Sequence, residues 1–429
     1  MPVLRLHNPV YPLLTNLAEE ERYQPPAMDL QVPELHPLEQ EGKWIPLPRE
    51  EEIHDRFCFA GFLDGAQRTV QIGVFRTPRE AGVPLYRARV TAGLLIRDRR
   101  VARIGAIRSW EILAAPFRAA GEDPEELADG LRNQGLQVWT GREAFGIGGD
   151  PRILRGLLAP QPPWILADTS YRGLSEDPDH GLISSANLWR EREVRARAQG
   201  RIAHLRQLLE LLLLLAIRFP GLGLLEAGDL LSAEAAVMVD GPLLLSARRR
   251  RWLPGFLSRM GVDIGEEDLQ HRLLRNTIGL VKSHRLQPKD LPAILTLPEG
   301  YRSSAFAFDR EVDVHGRSLQ EDMEAEGDHR YPSWHVTAYV RLRRRPHSDL
   351  AGLVRIDLLR PDPQRVLDPL SPDEQNELSQ WATSVYRERR PALPGEREQP
   401  FPISLLERAL HTRIPPAMAL SRSLSVEGG

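Results

Sequence analysis

Between Ala186 and Phe219 the sequence contains no proline, is rich in Leu, Arg, Ala and Glu, and stops at Pro220. That is the pattern of one long helix. Its last part, Leu211 to Ile217, is apolar on every side. A helix without a polar face must be covered all round, so this one belongs against a sheet inside a layered core. The uninterrupted apolar run is far shorter than the roughly 20 residues that cross a bilayer.

The segments on either side supply the sheet. From residue 56, RFCFAGFLDG, RTVQIGVFRT, LYRARVTAGLLIRD and RRVARIGAI are short β-rich runs broken by turn residues, which predicts a meander of antiparallel strands. Beyond the helix come AAVMVDGPLLL (235–245), NTIGLVKSHRLQ (276–287), and WHVTAYVRL (334–342), the last expected to pair with AGLVRIDLL (351–359). Apolar strands after a long helix indicate an α/β fold with a mixed sheet and flanking helices. Four parts follow from this reading: a proline-rich arm at 1–50, a first part of the core at 51–110, a helical and loop insertion at 111–184, and the remainder of the core with C-terminal helices at 185–429. No repeat at solenoid spacing is visible.

Composition matters mainly through its arginines. The 56 basic residues include only three lysines, Lys43, Lys282 and Lys289, while net charge is −3. The arginines are scattered through every segment, as the codon usage of a GC-rich genome would scatter them, so their number does not indicate nucleic acid. Their local bunching at 97–103, 248–251 and 341–345 does suggest basic surfaces able to steer a polyanion. Acid gathers instead at 121–127 and 371–377. Cys58 is the single cysteine, which excludes an internal disulfide and fits a reducing compartment. The start of the chain has no apolar core and small-residue cleavage site of a secretory signal, so a cytoplasmic protein is expected.

Two strands end alike, FCFAGFLDG at Asp64 and AAVMVDG at Asp240. Asp-Gly is common turn chemistry. Paired carboxylates at the ends of neighbouring strands are also costly without a divalent cation, and oxygen donors select Mg²⁺ or Mn²⁺. Glu210 stands among leucines of the long helix, either on one solvated stripe or held towards the sheet for such an ion; Glu193 at the helix start is the reserve. Lys282, after the apolar run TIGLV, is either a neutral position or a point charge for a phosphate. Tyr339 and Arg341 share one face of their strand by its period of two, a ring and a guanidinium suited to a base and a phosphate, although any half-buried strand alternates. His315, His329 and His335 lack zinc-ligand spacing, and GIGGD (146–150) lacks the lysine of a phosphate-binding loop.

In order, FLDGAQR, the helix carrying Glu210, VMVDGPLL, IGLVKSH, YVRL with VRIDLL, and FPISLLERALH resemble the NurA family of nucleases over residues 60–411. The resemblance implies an RNase H-like core and a homodimer that acts on DNA ends with a HerA-like hexameric ATPase. It implies Mn²⁺ or Mg²⁺ at Asp64, Glu210 and Asp240, a catalytic Lys282, and substrate contacts at Tyr339 and Arg341. The roles implied are DNA repair or defence against phage. One departure stands out: the family's C-terminal tyrosine and histidine fall at Phe401 and Ala409, with His411 two residues further. That departure supports a rival expectation, a degenerate subunit serving the ATPase as a DNA-binding or structural adaptor.

Overall fold

The computed structural model describes residues 35–40, 42–76, 82–98, 101–144, 151–171, 182–183, 190–226, 228, 231–241, 243, 247–282, 291–308, 335–344, 351–360, 365, 367–389 and 399–422. Most of the arm, GIGGD, His315 and His329, Arg345 and the side chains of Arg248 to Arg251 lie outside them. The strands are β1 (Leu35–Pro37), β2 (Trp44–Pro46), β3 (Phe59–Arg76), β4 (Gly82–Asp98), β5 (Val101–Ala115), β6 (Val138–Thr140), β7 (Trp164–Asp168), β8 (Ala236–Asp240), β9 (Thr277–Val281), β10 (Tyr301–Ser303), β11 (Phe306–Phe308), β12 (His335–Arg341) and β13 (Leu353–Leu359). The helices are α1 (Pro124–Arg132), α2 (Gly141–Ala144), α3 (Pro151–Leu157), α4 (Glu191–Arg218), α5 (Ala247–Arg259), α6 (Glu266–Leu274), α7 (Leu291–Leu295), α8 (Pro372–Arg387), α9 (Phe401–Arg413) and α10 (Ala417–Arg422).

All the described strands join one mixed sheet, in the order β1-β11-β12-β13-β9-β8-β3-β4-β5-β7-β6, with β10 and β2 attached at β12. Its centre is an antiparallel meander, β3, β4 and β5, with Asp64 opposite Gly93; it has three long strands, because FCFAGFLDG and RTVQIGVFRT, expected as separate runs, continue into each other as β3. The long helix α4 is the crossover that a parallel return requires. After it β8 lies parallel to β3, and β9 parallel to β8. A three-strand meander, a crossover helix and two parallel strands on the far side of β3 form a mixed α/β sheet with flanking helices. WHVTAYVRL and AGLVRIDLL pair antiparallel as β12 and β13. The insertion extends the same sheet, because β7 adds parallel to β5 and β6 to β7. The end of the arm is stitched in too, β1 to β11 and β2 to β10.

Alternation sorts the core into two layers. Leu63, Val237 and Val239 face α4, meeting Leu205, Leu208, Leu209 and Leu212. Phe62, Met238, Ile278, Leu280, Ala338 and Ile356 face the other way, onto Leu378, Trp381, Val385, Ile403, Leu406 and Leu410 of α8 and α9. The all-round apolar end of α4 is thus explained by burial, with Leu211 through Ile217 all buried.

Several arginines act inside this core. Arg218, the last residue of α4, is 1% exposed. It donates to the carbonyls of Ala233 and Ala235 and to the Thr277 hydroxyl, at 2.6, 2.8 and 2.8 Å. It therefore ties the helix end to the starts of β8 and β9. Burial pushes its guanidinium down to about 10, still fully charged at neutral pH. Arg302 pairs with Glu39 at 2.6 Å in the same way, fixing the arm to β10.

Candidate active site

β3 and β8 place the two aspartates. Leu63 lies opposite Val239 in the parallel register, so the next residue on each strand, Asp64 and Asp240, stands beside the other. The two Asp-Gly steps differ in backbone. β3 continues through Gly65 to Arg76, so Asp64 is not turn chemistry. Gly241 has φ 132°, where the chain leaves β8. Asp64 faces α9: at Gly93, its partner on β4, an added Cβ would lie 2.8 Å from Leu410 and 3.1 Å from Leu406.

Asp64 is buried, and its Oδ1 accepts the Gly65 N–H at 2.7 Å. Burial, and then the neighbouring Asp240 carboxylate, hold the Asp64 carboxyl well above the usual range. Lys282 opposes that shift, Glu210 adds to it and Arg206 opposes it, in falling order of size. The cause is the one expected of like charges withdrawn from water.

Lys282 is the residue after β9, and its Nζ lies 2.6 Å from Asp240 Oδ2. Nζ also donates to Gln399 Oε1 at 2.8 Å, and Gln399 Nε2 donates to Glu407 Oε2 at 3.0 Å. Gln399 and Glu407 were not legible as site residues. They lie more than 110 positions from Lys282, at the entrance to α9 and within it; Glu407 falls inside FPISLLERALH, but nothing local to either residue points to a contact with Lys282.

Glu210 approaches from the opposite side. It faces the sheet from α4, and an added Cβ on Gly65 would stand 2.0 Å from its Oε1, so its carboxylate fills the space that a side chain would take. Arg206 Nε is 3.6 Å from the same oxygen, and Arg206 Nη1 donates to the Gly65 carbonyl at 3.1 Å. The solvated-stripe alternative is excluded: Glu210 is 9% exposed. Glu193 pairs instead with Arg190 at 2.8 Å on the helix surface. Gly65→Ala is expected to force the Glu210 carboxylate aside and cost about 1 kcal/mol in chemical denaturation. On a Glu210→Ala background that cost should disappear, because the obstructing group is gone.

The Tyr339 and Arg341 expectation is corrected by the structure. Tyr339 is 2% exposed, packs with Ile294, Leu297, Phe306 and Leu353, and burial pushes its hydroxyl up to about 12. Arg341 is fully buried. It donates to the carbonyls of Leu295, Leu297 and Ala351 at 2.8, 3.2 and 3.0 Å. The two do share a strand face, but α7 and the residues after it cover that face. Neither side chain meets an open groove.

A divalent cation suits part of the expected set. Asp64 and Asp240 are adjoining oxygen donors, and their mutual repulsion is what such an ion relieves. Among the described residues, no group of three or more His, Cys, Asp and Glu side chains stands together to hold a metal. The unit that fits is therefore the aspartate pair, with Glu210 acting on it from across the strand. Among those residues, too, no helix is long and apolar enough to cross a membrane.

No protein-family model and no curated protein sequence matches the chain. Among solved structures it is similar to the crystal structure of the NurA nuclease from Sulfolobus solfataricus, with 12% identity, a TM-score of 0.35, and coverage of 86% of this chain and 81% of that one.

Proposed function

We propose that this chain is a divalent-metal-dependent DNA nuclease of NurA type, a cytoplasmic homodimer that processes DNA ends with a HerA-like hexameric ATPase. The observation that carries the reading is the pairing of Asp64 with Asp240 on neighbouring parallel strands, with Lys282 Nζ 2.6 Å from Asp240. The ordered motifs that resemble the family support the same assignment. Repair and defence against phage are both roles in which directed end processing would serve. The chain has no phosphate-binding loop for ATP, so the motor would be the partner's.

Asp64 and Asp240 would hold the ion. Bound Mn²⁺ or Mg²⁺ supplies Lewis-acid polarisation of a phosphoryl oxygen. The protein's share is positional. β3 and β8 set both carboxylates at adjoining positions, Asp64 buried and Asp240 half-buried. Lys282 carries a positive charge at the same edge, where it would offset the charge that grows on the phosphate during attack. Glu210, behind Gly65, raises the negative potential of the pair and so its preference for a doubly charged ion.

Two observations favour the adaptor reading: Asp240 is already paired with Lys282, and the family's tyrosine and histidine positions are Phe401 and Ala409. The two readings separate in one assay. Purified chain, alone and with its ATPase, is incubated with end-labelled linear DNA in Mn²⁺ or in chelator. The nuclease reading expects product only with the metal and none from Asp240→Asn. Binding without cleavage under all conditions identifies the adaptor.

A further inference from the structure

The contact from Lys282 to the C-terminal helix has a function of its own. Gln399 is 4% exposed, so its amide has little water to satisfy it and must be paired. Its carbonyl end accepts from Lys282 Nζ and its amino end donates to Glu407. An amide can be turned either way. Turned over, Gln399 would aim N–H groups at an ammonium, and both contacts would become repulsive. Glu407, an acceptor only, fixes the productive orientation. The backbone around Gln399 is held as well: Pro400 bridges to Arg389, and the Phe401 N–H donates to the Glu388 carbonyl at 2.6 Å. Leu406 and Leu410, on either side of Glu407, are fully buried against the sheet, so α9 is a firm support.

We infer that Gln399 is a positioning residue, oriented by Glu407, that holds the Lys282 ammonium beside Asp240 and so couples the C-terminal helix to the candidate active site. Its effect on turnover rests on the nuclease reading; its effect on Lys282 does not. Lysine is a mobile point charge on a four-carbon stem, and a single carboxylate leaves such a group many geometries. A second, directed acceptor selects one. Leucine at 399 would keep the volume and remove the acceptor.

The test uses the full chain and two readouts. In metal-dependent DNA cleavage, Gln399→Leu and Glu407→Leu should each lower kcat about tenfold with KM little changed, the size expected when the group supporting a catalytic side chain is lost. Glu407→Gln still offers an amide oxygen to Gln399 and should stay within about twofold of wild type on the same argument. Lys282→Met should cost about a hundredfold, and adding Gln399→Leu to it should cost nothing more. A merely structural Gln399 would cost the same on both backgrounds, which overturns the inference. The second readout needs no activity. The chain has only three lysines, so a sample labelled with ¹⁵N at lysine Nζ gives a short ammonium spectrum, with Lys282 assigned by its loss in Lys282→Met. The Lys282 resonance should be sharp and slowly exchanging in wild type and Glu407→Gln, and broadened in Gln399→Leu. An unchanged resonance in Gln399→Leu rejects the inference even if wild type cleaves DNA. The expected spectra in a chain that does not cleave would retain it and reject the nuclease reading alone.

Discussion

Asp64→Asn is expected to abolish DNA cleavage while making the metal-free fold more stable at neutral pH. The carboxyl sits well above its ordinary range because it is buried beside Asp240 and within reach of Glu210. The folded chain therefore binds this proton more tightly than the unfolded chain does. The stability associated with that proton is fully present below the ordinary carboxylate value and is lost as pH rises through the raised one. Asparagine keeps the shape, and its Oδ1 still accepts the Gly65 N–H, but it carries no charge to bury. In chelator at pH 7.5 the variant should melt about 2–4 °C above wild type, and near pH 4 the two should converge. Cleavage in Mn²⁺ should fall by a factor of about 10³ or more. Groups kept at a thermodynamic loss mark a functional site; a wild type that out-melts the variant at pH 7.5 would contradict the burial argument.

Arg341→Leu is expected to damage the fold and leave nucleic-acid affinity alone. The guanidinium reaches three backbone carbonyls from a fully buried position. Leucine would leave those carbonyls without their donor in a space closed to water, a loss of about 3 kcal/mol or more. The denaturation midpoint should drop accordingly. Measured by fluorescence anisotropy well below the melting range, affinity for labelled DNA should stay within about twofold, and the slope of affinity against salt should not change, because no phosphate contact is removed. A lowered salt slope would instead return Arg341 to the DNA path.

These two residues mark where the sequence was readable and where it was not. Asp64 could be found because its position is local information: an aspartate closing an apolar run, repeated at Asp240, with a long helix between to carry the chain into a parallel return. The same logic made the layered fold legible, since Leu211 to Ile217 leaves no polar face to expose. Arg341 could not be read. Alternation shows that Tyr339 and Arg341 share a face, but not that α7 closes over it. Glu210 was half legible: its leucine neighbours left a solvated stripe and a sheet-facing position both open, and only the absent side chain of Gly65 explains how a carboxylate is accommodated against the sheet. Gln399 and Glu407 were invisible, because their meaning comes from a contact with Lys282 that folding alone creates.

The arginine excess also has a physical reading now. Arg201, Arg218, Arg302, Arg341 and Arg360 are among the largest fully buried side chains. The contacts of Arg218, Arg302 and Arg341 fix helix ends, strand starts and the arm. Part of the excess is thus a set of internal clamps, and a count of basic residues overstates what is left to meet a polyanion.

The most direct measurement is anomalous diffraction at the manganese edge from crystals grown with Mn²⁺, for wild type and for the Asp64→Asn/Asp240→Asn chain. The account predicts a peak between the Asp64 and Asp240 carboxylates, at the roughly 2.0–2.6 Å ligand distances of hard divalent ions, and no peak in the double variant. Wild-type crystals in saturating Mn²⁺ that show no peak there would contradict it.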